Sequence, residues 1–222
     1  KKGEAHLFIT VFPWEPWGDV GEQQKKYDAM LDGYRKQYGW EMYFLAGLSD
    51  GLESGFFYSV ILGVDRAVTW ASQQDGIDPD KVFYYGISQG GGFGLYLTYI
   101  NPLIKRAVVN VPAFADMYSY KIGHQTTVAK HLYQCSNARN LEIMRARAPY
   151  FDTANFAAKI KVPIRFVTGQ QDWVCPPHTV FAAYNACGSS DKDIFYTGGD
   201  HNSAVDEADG RSERFLSELK TR

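Results

Sequence analysis

Val82-Phe83-Tyr84-Tyr85-Gly86-Ile87-Ser88-Gln89-Gly90-Gly91-Gly92-Phe93-Gly94-Leu95 is the stretch from which the fold is read. The apolar run at 82–85 predicts a buried strand, and the apolar run at 93–100 predicts a buried helix. Between them, Gly86, Ser88 and Gly90 form Gly-x-Ser-x-Gly in the strand–turn–helix context of a nucleophile elbow. A serine on so sharp a turn needs a strained backbone, and its neighbours two positions away on either side must lack bulk. The helix that follows aims its positive dipole end at the serine, which makes the N–H of Gln89 a candidate oxyanion donor. The competing reading is a glycine-rich strand–helix turn without chemistry; the flanking elements favour the elbow. No Lys-Ser/Thr follows the triple glycine at 90–92, so it is not a phosphate loop.

Outward from this stretch, strands and helices alternate. Towards the start, apolar residues recur at helical spacing through 55–73 and 20–38. A strand is expected at 6–12, ended by Pro13, and residues 41–47 read as either a strand or an extended loop. Downstream, strands are expected at 105–111, 164–168 and 193–197, with helices at 179–186 and 204–220. Residues 113–158 are irregular and polar, with helical pieces at 124–135 and 137–147, and read as a cap-like excursion over the strand ends. The expected architecture is one α/β domain over 1–222, a mostly parallel sheet with helices on both faces.

Composition narrows the chemistry. With 23 basic and 25 acidic residues among 222, the charge is nearly balanced and argues against nucleic-acid or anionic-membrane partners. No apolar run approaches membrane-spanning length. The chain opens Lys1-Lys2-Gly3 without Met or a recognisable signal peptide, as a processed protein or a piece of a longer one would. Cys135, Cys175 and Cys187 match no zinc or redox spacing and read as reduced, buried thiols. His124 and His131 lack ligand spacing, so neither a metal nor another cofactor is expected.

A serine nucleophile needs a general base, and the base needs an acid to fix its tautomer. Along chains with this elbow, the acid and then the base follow on loops after later strands. Asp172 follows the 164–168 strand and His201 follows the 193–197 strand, both at strand C-terminal ends where parallel sheets bind ligands. Ser88, Asp172 and His201 are therefore the candidate triad. His178 is the rival base, and Asp152, Asp191 and Asp200 are the rival acids.

With these residues in view, the chain resembles the acetyl xylan esterase/cephalosporin-C deacetylase family, carbohydrate esterase family 7. The segment Gly86-Ile87-Ser88-Gln89-Gly90-Gly91 is similar to its elbow motif, and Asp172-Trp173-Val174-Cys175-Pro176-Pro177 with the run to Asn185 is similar to its acid loop. Tyr150-Phe151-Asp152, Asn155-Phe156-Ala157 and Asp65-Arg66-Ala67-Val68 are similar too. The resemblance is clear over about 45–202 and vague before it.

It implies an α/β-hydrolase fold, a serine esterase releasing acetate from small acetylated sugars such as xylo-oligosaccharides, and frequent homo-oligomers. Ser88 would be nucleophile, Asp172 acid, His201 base and Gln89 N–H an oxyanion donor. The resemblance suggests a cytoplasmic esterase of imported oligosaccharides, and an exported one is equally compatible with a chain that opens without Met. Two departures stand out. Asn202 follows His201 where the family has Glu, and the family's Arg-Gly-Gln and His-Gly-Tyr oxyanion loop are not found. If 41–47 is a loop, the first strands of the fold are missing and the chain is a C-terminal portion of a larger esterase; if it is a strand, the strand at 6–12 carries the hole. Trp14, Trp17 and Trp173 are candidates for sugar stacking, each also explicable by packing. Other acyl hydrolases (peptidase, thioesterase, sugar-acid methyl esterase) and a non-catalytic carbohydrate-binding relative remain as alternatives.

Overall fold

The structure is a computed structural model and describes residues 3–10, 18–38, 45–119 and 141–217. In chain order its helices and strands are α1 (Val20–Tyr38), α2 (Phe56–Ser72), β1 (Val82–Ile87), α3 (Gln89–Ile100), β2 (Ile104–Asn110), α4 (Leu141–Arg147), α5 (Thr153–Ala157), β3 (Ile164–Gly169), α6 (Pro177–Ala186), β4 (Lys192–Thr197) and α7 (Ser203–Ser217). Among the described residues the four strands form one parallel sheet in the order β1-β2-β3-β4.

Side-chain alternation explains the layers, because successive residues of a strand face opposite sides. Ala107 and Val109 of β2, with Ile164 and Phe166 of β3, pack against Leu95 of α3 and Val180 and Ala183 of α6. The intervening residues face α7: Val167 joins Val111, Ala204 and Ala208, and the Arg106 guanidinium lies 4.3 Å from the Phe215 ring centroid. Helices therefore cover both faces. Beyond α3, an aromatic core ties α2 to the segment after β2. Phe57 stands edge-on to Phe114 at 4.8 Å and stacked on Phe151 at 5.2 Å.

Most expected elements are present within a residue or two. The strand expected at 6–12 is not: residues 6–10 pair with no strand among the described residues, and Leu7, Phe8 and Ile9 are exposed (residues 11 and 12 lie outside the described residues). An alternating apolar pattern alone makes no strand without a neighbour to hydrogen-bond. The described part of 41–47 is a turn rather than a strand. There Leu45 and Leu48 are buried, and Gly47 has φ +76°. The helical piece at 124–135 and the first four residues of that at 137–147 lie outside the described residues, while the rest of the latter is α4. The short helix α5 was not expected; Asp152 caps it by accepting from Ala154 N–H at 3.0 Å.

The elbow glycines are not equivalent. A methyl group at Gly86 would sit 2.4 Å from the Gly90 carbonyl oxygen, whereas one at Gly90 would meet nothing within 4 Å. Expected bulk-free positions at both sites thus hold sterically only for Gly86. Gly91 and Gly92 take the second burden, since methyls there would press on Asn110 and Ala113 backbone oxygens at 2.8 and 2.7 Å. Gly86→Ala is expected to lower stability by about 1–3 kcal/mol through overpacking, and Gly90→Ala to leave it equal or up to about 1 kcal/mol higher through helix propensity. Urea unfolding of both variants checks this; equal losses would contradict it.

Cys175 and Cys187 are free and buried, and burial pushes the Cys175 thiol up to about 12. Both are expected to resist iodoacetamide at neutral pH in the native state and to react only in denaturant, read by peptide mass.

Candidate active site

Ser88 lies in the turn between β1 and α3 with φ +56° and ψ −116°, a region that L-residues seldom occupy and that costs roughly 1–3 kcal/mol. The sequence expectation of a strained serine is met. Its N–H donates to the Asn110 carbonyl at 2.8 Å, and its own carbonyl accepts from Gly92 N–H and Ala113 N–H, each at 3.0 Å. The elbow is thus tied to the end of β2 as well as to its own helix. Tyr84 Oη donates to the Gly90 carbonyl at 2.7 Å and locks the first turn of α3 to β1. Gln89 opens α3, so its N–H sits at the positive end of the helix dipole.

Asp172 and His201 leave adjacent parallel strands, β3 and β4, whose ends pair in register at Gly169 and Thr197. The two loops interlock. Gln170 N–H donates to the Thr197 carbonyl at 2.9 Å, Gln171 N–H to the Gly199 carbonyl at 3.0 Å, and Gln171 Nε2 to the Gly198 carbonyl at 2.9 Å. Asp172 Oδ2 then stands 2.7 Å from His201 Nδ1. The Asp172 side chain is fully buried, and its other oxygen accepts from Val174 N–H and Cys175 N–H, both at 2.8 Å. A carboxylate satisfied on both oxygens orients the ring without wandering. Nε2 is the ring nitrogen left to face a substrate-side partner, and the His201 side chain is 18% exposed.

The Ser88 hydroxyl lies beside the Cys175 thiol, and in this structure it makes no hydrogen bond to His201. Cys175 packs with Val111 just beyond β2, Val167 of β3, and Ala204 and Ala208 of α7. Sequence reading missed this contact, although the cysteine stood inside the quoted acid loop.

The rivals have other partners. Asp191 forms an ion pair with Arg165 at 2.8 Å. Asp200 accepts from Ser203 N–H and Ser203 Oγ at 2.9 and 2.8 Å, and these bonds hold its carboxyl below the usual range; it caps α7. His178 lies in the first turn of α6, while Asp172 Oδ2 is taken by His201. Asp152 is buried at the start of α5. Burial raises its pKa, and hydrogen bonds from Met117, Ala154 and Asp116 N–H pull the other way. Trp173, next to the acid, is 89% exposed, so packing does not account for it. Trp14, Trp17, His124, His131 and Cys135 lie outside the described residues. No described helix is long and apolar enough to cross a membrane.

Comparison with known proteins gives this geometry a lineage. The acetyl esterase Axe7A of Xylanibacter ruminicola is 30% identical over 143 residues, which cover 64% of this chain and 32% of that protein. The solved acetyl xylan esterase from Paenibacillus sp. R4 superposes with a TM-score of 0.69 at 25% identity, over 79% of this chain and 56% of that one. Acetyl xylan esterase 1 from Thermoanaerobacterium sp. JW/SL YS485 gives 0.66 at 27% identity, over 80% and 57%. The chain thus spans about a third of the curated relative's length and little more than half of each solved one. The fold is α/β of the hydrolase type. The profile of the acetyl xylan esterase (AXE1) family matches residues 18–219, nearly the whole sequence, and the chain belongs to that family.

Proposed function

We propose that this chain carries the catalytic residues of a serine carboxylic-ester hydrolase that removes acetyl groups from acetylated sugars. The observation that carries the reading is the Asp172–His201 pair at 2.7 Å, held at the ends of β3 and β4, on the same sheet edge as a serine at positive φ. Nothing in simple ligand binding requires that combination.

In this reading Ser88 Oγ turns from Cys175 towards His201 and attacks the acyl carbonyl carbon. His201 Nε2 takes the serine proton, and Asp172 stabilises the imidazolium. The carbonyl oxygen becomes an oxyanion facing the Gln89 N–H at the α3 terminus. Collapse breaks the bond to the sugar oxygen, which leaves with the proton from His201. Water then attacks the acetyl-serine with His201 again as base, releasing acetate and restoring Ser88. Trp173 is assigned to stacking on the sugar ring.

Hydrolysis of p-nitrophenyl acetate and labelling by a serine-reactive phosphonate, read by peptide mass, test the reading. Ser88→Ala and His201→Ala are each expected to lower turnover at least about a thousandfold and abolish labelling; Asp172→Asn is expected to lose roughly 10³–10⁴-fold in kcat. Unchanged turnover in Ser88→Ala would overturn it. On an acetylated xylo-oligosaccharide, Trp173→Ala is expected to raise KM roughly three- to tenfold with kcat little changed. An unaltered KM would remove Trp173 from the binding surface.

A further inference from the structure

The segment that follows β2 is as strained as the elbow. Val111, Phe114 and Asp116 have φ of +41°, +71° and +57°, and none is glycine. Such a run persists only where its surroundings over-determine it. One end is bonded to the nucleophile itself, since Ala113 N–H donates to the Ser88 carbonyl at 3.0 Å. The rest is gripped by two consecutive residues from the far side of the cap-like excursion. Thr153 N–H donates to the Phe114 carbonyl at 3.0 Å, and Thr153 Oγ1 donates to the Ala113 carbonyl at 3.2 Å. Asp152 Oδ1 accepts from Asp116 N–H at 3.1 Å and Oδ2 from Met117 N–H at 2.8 Å. Asp152 is 7% exposed and Thr153 is fully buried, and among the described residues no Lys, Arg or His forms an ion pair with Asp152. A buried carboxylate spent wholly on backbone N–H groups is costly unless the conformation that it holds matters.

We propose that Asp152 and Thr153 are positioning residues for Ser88, clamping the strained 111–117 loop so that Ala113 holds the nucleophile's carbonyl, and with it the elbow, in its attacking conformation. The inference rests on the serine-hydrolase reading for its consequence in catalysis, but the clamp itself is independent of it. Ala113 is the relay: its carbonyl is held by Thr153 and its N–H holds Ser88. Thr153→Val keeps the shape of the side chain and removes the donor, whereas Thr153→Ser keeps the donor. Asp152→Asn leaves one oxygen for N–H groups that now use two, and sets an NH₂ against a donor.

Hydrogen–deuterium exchange by mass spectrometry on the chain, together with the phosphonate labelling rate at Ser88, tests the coupling. Thr153→Val and Asp152→Asn are expected to speed exchange at least fivefold in peptides covering both 111–117 and 86–92, with β3 and β4 unaffected and with Thr153→Ser near wild type. Labelling is expected to slow about tenfold in the first two variants and recover in Thr153→Ser. Faster exchange confined to 111–117 and 148–157, with 86–92 unchanged, would overturn the proposal, as would labelling at the wild-type rate in both variants. Coupled exchange in a chain whose wild type is never labelled would uphold the clamp and count against the hydrolase reading, so the two failures are distinct.

Discussion

The backbone of Ser88 is the constraint on which the site depends. A serine at φ +56° costs roughly 1–3 kcal/mol, and the three hydrogen bonds made by its own peptide groups, at about 0.5–1.5 kcal/mol each, are of the size needed to offset it. Two of the three come from residues more than twenty positions away and are not available to an isolated turn of this sequence. One partner is the end of β2, one is the loop beyond it, and one is the third residue of the triple glycine. The elbow exists only when β1, β2 and α3 are already packed, and Gly86 lets them pack that closely.

The same logic governs Asp172 and His201. They lie 29 residues apart and meet because β3 and β4 run parallel and in register, so that the loops leaving them start side by side. Backbone bonds between those loops fix the spacing before any side chain is considered. The carboxylate is then fully occupied, one oxygen by two N–H groups and the other by the imidazole, which leaves His201 a single orientation. Cys175, a small buried thiol beside Ser88, packs among residues from the end of β2, from β3 and from α7.

The sheet is uneven. β2 and β3 are almost wholly buried, while β1, which leads to the nucleophile, stands at the edge with Tyr85 and Ile87 exposed. Parallel strands are ordinarily covered on both faces and flanked on both sides. Among the described residues no strand flanks β1 on its outer side, and the chain spans little more than half of each solved relative.

Much of this was legible in the residues. Helical spacing located α1 and α2, short apolar runs bounded by Gly and Pro located all four strands, and chain order singled out Ser88, Asp172 and His201 from several rivals. The signals for helices and strands are local, and they were legible because burial imposes a period on each element separately. The strand expected at 6–12 failed for the converse reason: a strand is completed by its neighbour, and local pattern carries no information about whether a neighbour exists. Likewise Gly90 looked equivalent to Gly86, and Asp152 looked like a rival acid, until the packing of α3 and α5 gave each a different surrounding. Sequence by itself determined the class of the fold and singled out the candidate reactive groups, because both follow from residue type and spacing along the chain. The strain at Ser88, the pairing of His201 with one particular carboxylate and the grip of Asp152 and Thr153 on the loop beside the nucleophile were decided only by tertiary structure, since each is a contact between segments that only the packed sheet brings together.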